Sequence, residues 1–286
     1  MDSAEVRARY GQVFDSVAEE YDRERRAYPA ELVDAALQIA RLGVGDTVLE
    51  VGSGTGLLTE QLVARGLSVH AVDPGAEMVS RARRRLGDNA PVEFEVARFE
   101  EVTPAGGPFP ALFSASAWHW LNPAVSWRRA WEALAPGGRL CLLQDFAVAD
   151  PRAARDTELL TAALTRGAPE LAAGWPAPRD AEAVLREARE HQHDVSAVWS
   201  HLTNYALEDP SAADLFEEVR IDAVPLLIEQ TADQFNAYFR TTSFHARLEP
   251  AQRDRLAAEN RRAADELGGL LRYGALAVLV SARRDP

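Results

Sequence analysis

The chain has 286 residues, 47% of them hydrophobic, and a formal net charge of −13 at neutral pH. This length suits one α/β domain with an addition, and the negative charge argues against binding to the phosphate backbone of nucleic acids. No apolar run reaches the about 20 residues of a membrane span, and the first residues lack the pattern of a signal peptide. We expect a cytoplasmic monomer or homodimer that binds neither nucleic acid nor membrane.

The types of side chain in the sequence limit the chemistry that the protein can perform. The only cysteine, Cys141, lies in an apolar run, so we expect a buried strand residue in a reducing compartment. The chain has no lysine, since all 31 residues of the Lys+Arg count are arginine, and this excludes a Schiff base on lysine. Two arginine-rich runs, Arg23–Arg26 and Arg81–Arg85, are interpreted as solvated helix faces.

Strands and helices alternate through the first half of the chain. Residues 4–22 and 29–41 are predicted to be helices, the second of them introduced by Tyr28-Pro29. The alternating elements that follow are strands at 46–51, 68–72, 92–96, 111–115 and 139–146, with helices at 56–65, 75–86 and 123–134. Such alternation predicts a parallel sheet that binds its ligand across the carboxyl ends of the strands.

The second half begins with a change of pattern. Residues 150–210 are predicted to be helical only and are interpreted as a lid inserted between strands five and six. Strands at 217–228 and 271–282 and helices at 231–240 and 250–267 complete the chain. We therefore predict one domain over 1–286 with a Rossmann-like, seven-stranded, mostly parallel sheet and helices on both faces. Its parts are an N-terminal cover (1–41), a cofactor-binding core (42–149), the lid (150–210) and the rest of the core (211–286).

The turn after the first strand is the most informative segment. An apolar run ends at Glu50, and Gly52, Gly54 and Gly56 follow at two-residue spacing. Such glycines let a ligand approach the backbone closely. The spacing is neither that of a dinucleotide site nor that of a P-loop. Asp73 closes the second strand, where an acidic residue accepts hydrogen bonds from ribose hydroxyls.

Together the glycine turn and Asp73 resemble the cofactor site of class I S-adenosylmethionine (SAM)-dependent methyltransferases. The resemblance covers nearly the whole chain, is sharpest over residues 14–145, and implies SAM as the cofactor. It implies that Gly52, Ser53 and Gly54 face the methionine moiety, that Glu50 meets its ammonium group, and that Asp73 holds the ribose. The further cofactor-binding residues that it implies are Tyr21, Pro74, Met78, Arg98, Phe99 and Ser114.

Three of these positions leave alternatives open. In the family, a tyrosine equivalent to Tyr21 often reaches the methionine carboxylate, but a helix aromatic packed on the sheet explains it equally well. Met78 lies against adenine or packs in the core. Arg98 stands where many members have an aspartate for the adenine amino group. Adenine is therefore expected to contact the backbone at Arg98 and the ring of Phe99, unless Arg98 simply faces solvent.

The segment after the fourth strand faces the transferring methyl group in this family. It lacks the Asn/Asp-Pro-Pro-Tyr/Phe motif of methyltransferases that act on adenine or glutamine, and instead resembles the histidine-containing version of small-molecule enzymes. His119 is therefore predicted as catalytic, because a neutral imidazole can remove a proton from a hydroxyl. The alternative is a pocket-wall residue packed between two tryptophans.

Aromatic residues near this segment and in the lid indicate the acceptor. The predicted substrate-binding residues are Trp118, Trp120, Trp199 and Tyr205. They favour an apolar, aromatic or polyketide-like acceptor, although the lid tryptophans equally fit a core. The predicted function is methyl transfer to a small organic molecule, foremost at oxygen, in secondary metabolism. N- or C-methylation, a non-methylating reaction such as cyclisation with bound SAM, and a binding module without catalysis remain alternatives.

Two further segments carry polar residues. His191-Gln192-His193-Asp194 has the residue types of a metal site, but it ends a charged helix and is interpreted as an exposed helix end, so no metal is predicted. Thr241-Thr242-Ser243 resembles a Thr-x-Ser segment of related small-molecule methyltransferases. It is expected either to line the acceptor pocket or to cap a helix.

Overall fold

The structure, a computed structural model, describes residues 13–285, so part of the predicted helix at 4–22 lies outside the described residues. The helices are α1 Val13–Ser16, α2 Ala18–Glu24, α3 Ala30–Ala40, α4 Leu57–Val63, α5 Ala76–Leu86, α6 Pro123–Ala133, α7 Ala154–Gly167, α8 Pro169–Ala173, α9 Ala181–Glu190, α10 Val195–Thr203, α11 Ala212–Leu215, α12 Ala232–Arg240, α13 Ser243–Ala246 and α14 Pro250–Glu266. The strands are β1 Thr47–Val51, β2 Ser68–Asp73, β3 Val92–Val96, β4 Phe109–Ala115, β5 Leu134–Ala149, β6 Arg179–Asp180, β7 Phe216–Thr231 and β8 Leu270–Arg284.

These strands form one mixed sheet in the order β3-β2-β1-β4-β5-β8-β7. Strands β1 to β5 pair in parallel, whereas β8 runs antiparallel to both β5 and β7. The mostly parallel sheet is as predicted. The eighth strand, β6, was missed: it has only two residues, which pair with the end of β5 and are too few for a periodic pattern.

The sheet is buried on both faces. Alternate residues of β5 enter two different hydrophobic clusters, Leu140 in one and Cys141 in the other. Cys141 is buried as predicted, and burial raises the pKa of its thiol to about 12. Helices α6 and α10 cover one face, through Trp127 and Trp199, and α3 and α4 cover the other. Burial on both faces explains the continuous apolar runs from which the strands were predicted.

The predicted lid is only partly a cover. Helix α10 packs against the sheet, and Trp199 is fully buried in the same cluster as Trp127. The prediction that Trp199 binds the acceptor is therefore wrong: the apolar periodicity of α10 reflects a helix of the core. The parts of the insertion that line the large cavity are α7, α8, the loop 174–178 and, further along the chain, Arg179, Val184 and residues 201–205.

The N-terminal cover is attached to α5, the helix that follows Asp73. Oδ1 of Asp15 accepts hydrogen bonds from the backbone amides of Glu77 and Met78, at 2.8 and 3.2 Å, and so satisfies amides that a helix start leaves without partners. Arg85 donates to Asp22 at 2.6 Å, which corrects its interpretation as part of a solvated run. Within residues 13–285, no helix is both long and apolar enough to cross a bilayer.

Candidate cofactor and acceptor site

A cavity of about 1560 Å³ lies along the carboxyl ends of β1, β2, β4 and β5, and a smaller one of about 430 Å³ adjoins it. The residues that line both cavities are Tyr21, Arg25, Gly52, Gly54, Ala115, Ser116, Asp145 and Tyr238. A pocket for one small molecule usually measures about 300–1,000 Å³. The larger cavity therefore has room for two ligands side by side.

The glycine turn forms one wall of this cavity. Gly52 has a φ of 73°, and a Cβ atom on it would lie 2.2 Å from the Cβ of Ala117. Its amide donates to the carbonyl of Val72 at 2.8 Å, which fixes the turn against β2. Gly54 has a φ of 54°, with no atom within 4 Å of where a Cβ would be. Gly52 is thus required by packing, whereas Gly54 leaves open space for a ligand.

Asp73 lies at the end of β2, beside this open space. It is 8% exposed, and its two oxygens accept hydrogen bonds from the amides of Gly54 and Gly75, each at 2.8 Å. Burial raises the pKa of the carboxyl group, and the two amides oppose this rise. Each oxygen keeps a further lone pair, so the carboxylate can accept two more hydrogen bonds, as a vicinal diol would supply.

The next part of the cavity has apolar walls. Pro74, Met78 and Phe99 line it, with Met78 4% and Phe99 2% exposed. Arg98 also lines it, but its guanidinium lies 3.5 Å from Glu100 and 3.3 Å from a carboxylate oxygen of Glu101. Its charge is therefore already compensated by neighbouring acids. A flat ring fits between the apolar walls.

Unsatisfied polar atoms cluster behind the glycine turn. Glu50 is 1% exposed and lines the smaller cavity together with Ser53 and Thr55. Oε2 of Glu50 and the hydroxyl oxygens of Ser53 and Thr55 have no hydrogen-bond partner among residues 13–285. Burial raises the pKa of Glu50 to about 8. Leaving such groups unpaired costs about 1–3 kcal/mol each, so this region fits a polar, cationic ligand group.

Arg25, which was not predicted as a site residue, lines both cavities. Its Nε donates to Oγ1 of Thr241 at 3.0 Å and its Nη2 donates to the carbonyl of Thr241 at 2.9 Å. The guanidinium lies over the rings of Tyr21 and Tyr238, at 4.8 and 4.9 Å. Within the described part of the chain it has no carboxylate within 4.0 Å. Arg25 is half-buried, and cations withdrawn from water are normally paired, so Arg25 is a candidate to bind an anionic group.

His119, predicted as catalytic, and Tyr205, predicted to bind the acceptor, both line the larger cavity. Their rings stack at 4.7 Å with an interplanar angle of 15°, and Trp120 lies 4.8 Å from His119. Burial, together with the charge of Arg25, lowers the pKa of His119 to about 3. Its Nδ1 has no partner among residues 13–285. The imidazole is thus neutral at physiological pH and a weak base.

Two further predicted site residues lie outside the cavity wall. Trp118 is 1% exposed and packs between Phe99 and Trp127, with ring centroids at 6.3 and 5.2 Å, so it belongs to the core. Ser114 is fully buried inside β4. Ser116, two residues further on, lines the cavity instead, and its hydroxyl is hydrogen-bonded to that of Tyr28 at 2.6 Å.

The far part of the larger cavity, which we call the acceptor chamber, has mainly aromatic walls. They are contributed by Trp120, Phe146, Trp175, Tyr205, Phe235, Tyr238, Phe239, Phe244 and Tyr273. Thr242 serves both of its proposed roles, since it lines the chamber and its Oγ1 accepts from the amide of His245 at 3.3 Å as the cap of α13.

The His191–Asp194 segment lies at a helix boundary. Oδ1 of Asp194 accepts from the amide of Ser196 at 2.8 Å and caps α10. The ring of His191 lies 5.5 Å from that of His201. Across residues 13–285, no group of three or more His, Cys, Asp or Glu side chains is arranged to hold a metal ion.

The strand order, the glycine turn after β1 and the buried acid after β2 define a Rossmann-like protein that binds a nucleoside cofactor. A sequence profile for a methyltransferase domain matches residues 48–138. An uncharacterized methyltransferase of Geobacillus thermodenitrificans is 30% identical over 169 residues, which are 56% of this chain and 76% of that protein. The chain belongs to the family of class I SAM-dependent methyltransferases.

Other relatives match a smaller share of their own length. An uncharacterized methyltransferase of Mycobacterium tuberculosis is 38% identical over 130 residues, 46% of this chain, so the match spans about half (51%) of that protein. A ribosomal RNA small subunit methyltransferase A of Anaeromyxobacter is 32% identical over 176 residues, 54% of this chain and 61% of that protein.

One solved structure shares the fold. It is a type II methyltransferase candidate from Anaeromyxobacter dehalogenans, with a TM-score of 0.59 and 21% identity, covering 92% of this chain and 99% of that one. At this identity the likeness concerns the fold alone. It supports the predicted Rossmann-like architecture, which holds across nearly the full length of both chains.

Proposed function

We propose that this protein transfers a methyl group from SAM to a small, largely aromatic molecule, foremost at an oxygen atom. The observation that carries the proposal is the single cavity of about 1560 Å³ that extends from the glycine turn and Asp73 into the acceptor chamber. A cavity of this size has room for a nucleoside cofactor and an aromatic molecule in one continuous space. A cytoplasmic role in secondary metabolism fits this reading, as does the single, buried cysteine.

The unsatisfied groups of the site fit SAM. The cofactor supplies an activated sulfonium methyl group. Asp73 would accept hydrogen bonds from the ribose hydroxyls, and Met78 and Phe99 would enclose adenine. Glu50 would face the ammonium group and Arg25 the carboxylate. Glu50 and Arg25 both line the smaller cavity beside Gly52 and Gly54, and this pair of opposite charges matches the zwitterionic head of the methionine moiety.

A small acceptor suits the site better than RNA does. One relative is a ribosomal RNA methyltransferase by name, but this chain has a net charge of −13, which opposes binding to a phosphate backbone. The chamber walls are aromatic and are formed by helices, strands and loops from separate parts of the chain, as expected for a pocket that encloses a small molecule. The absent Asn/Asp-Pro-Pro-Tyr/Phe motif favours oxygen over the amino groups of adenine or glutamine.

His119 is assigned to the pocket wall. With a pKa of about 3, its imidazole remains neutral and takes up a proton poorly at neutral pH. Stacked on Tyr205, it gives the chamber a rigid aromatic side. Methyl transfer from a sulfonium depends chiefly on alignment of the acceptor with the methyl group, so a rigid wall contributes without proton transfer.

Transfer of labelled methyl from SAM tests this function. The purified protein is incubated with isotope-labelled SAM and a size-fractionated extract, with the Asp73→Ala variant as the control. Label in the small-molecule fraction, absent from the control, supports the proposal and yields a product whose mass spectrum locates the methyl on O, N or C. Label in RNA or protein would refute a small-molecule acceptor. Tight SAM binding with no label in any fraction would favour the non-methylating alternative.

A further inference from the structure

Asp145, on β5 beside Gln144, presents a free hydrogen-bond acceptor to the cavity. Gln144 donates through Nε2 to the carbonyl of Asp145 at 2.8 Å, while its Oε1 is buried and has no partner among residues 13–285. The carboxylate of Asp145 lines both cavities, and within the described chain it takes part in no hydrogen bond and no ion pair. Unsatisfied acceptors in a cavity wall indicate a ligand that donates.

The groups that face Asp145 come from several elements. They are Arg25, Arg26, Tyr28, Tyr238 and Tyr273, and the negative charge of Asp145 raises the pKa of each of them. Most of them already have partners elsewhere. Arg25 donates to Thr241, and Nη2 of Arg26 donates to the hydroxyl of Tyr273 at 3.2 Å.

The role of the Asp145 carboxylate follows by elimination. In the proposed function, Arg25 is the group that would pair with the methionine carboxylate of SAM. Once it does, Asp145 is the charged acceptor of the cavity that still lacks a close partner. His119 also offers a free nitrogen, but a neutral imidazole accepts a weaker hydrogen bond than a carboxylate does.

We infer that Asp145 is the anchor for the methyl acceptor, and that the acceptor is a phenol bound in its neutral form. Its ring would lie between the aromatic walls of the chamber, close to Tyr205 and Trp120, and its hydroxyl would donate to the carboxylate of Asp145. A phenolate would instead meet like charge at Asp145. This inference rests on the proposed function and names the substrate class of the same site.

The test uses 4-nitrophenol as the probe, because its phenol and phenolate forms absorb at different wavelengths. The protein is first saturated with S-adenosylhomocysteine (SAH), the demethylated cofactor, so that no turnover occurs. The bound probe should have a higher pKa than the free probe. In the Asp145→Asn variant the ratio of bound phenol to bound phenolate at a fixed pH should fall about tenfold or more, which is one pKa unit.

The matched control is Glu170→Gln, which removes another carboxylate from the chamber wall. Glu170 lies on α8 and accepts from Nε2 of Gln252 at 2.8 Å. This variant should change the ratio by less than about twofold, since Glu170 is exposed and its charge is screened by solvent. The SAH affinity of each variant, measured by calorimetry, shows whether it has kept its fold.

A second measurement uses the unaltered protein. If a hydroxyl anchor exists, 4-nitrophenol in its neutral form binds about tenfold more tightly than 4-nitroanisole, its methyl ether, which cannot donate. An apolar chamber without an anchor binds the ether equally well or better. This comparison stands even where Asp145→Asn does not fold.

Several outcomes would overturn the inference. Preferential binding of the phenolate, an unchanged ratio in Asp145→Asn, equal affinity for the ether, or no binding of the probe by protein that does bind SAH would each do so. Failure to bind SAH at all is a different result, because it refutes the proposed function itself. The calorimetric measurement made before the probe is added separates the two.

Discussion

The role assigned to Arg25 can be measured without knowing the acceptor. Replacing it with methionine removes the guanidinium and retains an unbranched, apolar side chain in its place. Two hydrogen bonds to Thr241 and two cation–π contacts are lost. If the guanidinium also binds the methionine carboxylate of the cofactor, the substitution leaves that carboxylate without its partner.

The expected magnitude follows from the surroundings of Arg25. It lies at the junction of two cavities and has no competing carboxylate within 4.0 Å in the described chain. Hydrogen bonds that involve a charged group contribute about 1.5–3 kcal/mol. One such interaction corresponds to about 10- to 150-fold in a dissociation constant. We therefore expect the affinity for SAH to fall about 10²-fold in Arg25→Met.

The assay compares two ligands by titration calorimetry. SAH carries the amino-acid moiety, and 5′-methylthioadenosine lacks it while keeping adenine, ribose and sulfur. Arg25→Met should lower the affinity for SAH about 10²-fold and the affinity for methylthioadenosine by less than about threefold. Asp73→Asn removes a contact to the ribose, which both ligands contain, so it should lower the affinity for both equally. Arg26→Met is the matched control, since Arg26 lines only the smaller cavity and donates to Tyr273, and it should leave the preference for SAH unchanged.

Two results would refute the reasoning. Equal weakening of both ligands in Arg25→Met would show that Arg25 only supports the structure around Thr241. Unchanged affinity for SAH would show that another group, with Tyr21 foremost, holds the carboxylate. The comparison of two ligands matters because a general loss of folding lowers the binding of both alike, whereas loss of the Arg25 contact lowers the binding of SAH alone.

Three further predictions concern the turn and its neighbours. Glu50 has a pKa of about 8 in the free protein and would ionise on meeting an ammonium group, so SAH binding should release a proton below pH 8 and tighten as pH rises from 6 to 8. Calorimetry in buffers of different ionisation enthalpy measures this proton release. If the release persisted in the Glu50→Gln variant, the proton would not come from Glu50. Gly52→Ala should destabilise the fold by about 1–3 kcal/mol in urea denaturation, because its new Cβ would lie 2.2 Å from that of Ala117. Gly54 has open space around it, so Gly54→Ala should cost only about 1 kcal/mol of backbone strain but should lower the affinity for SAH. Equal destabilisation of the fold by both substitutions would show that packing does not distinguish the two glycines. His119→Phe should leave SAH affinity within about threefold and, with an identified acceptor, turnover within about tenfold, whereas a 10²-fold loss would indicate proton transfer through His119.

The residues predicted for the cofactor half of the site lie close together in the structure because the determinants of this region are local. The glycines and Asp73 sit at strand ends, and parallel pairing of β1 with β2 brings those ends together without help from distant segments. Arg25 shows the opposite case. Its surroundings depend on Thr241, which is 216 residues further along the chain, so the arginine-rich run looked like a solvated helix face until the tertiary contacts were known.

The segment from Trp118 to Trp120 shows why side-chain direction escaped prediction. Its aromatic composition predicted a pocket wall, but the three residues form a single 3-10 turn, in which successive side chains point in different directions. Trp118 consequently turns into the core against Trp127, while His119 and Trp120 face the cavity. Composition can therefore locate a wall of the site, whereas the assignment of each residue to cavity or core requires the backbone path. The same distinction separates Tyr205 of the cavity wall from Trp199, six residues earlier, in the core.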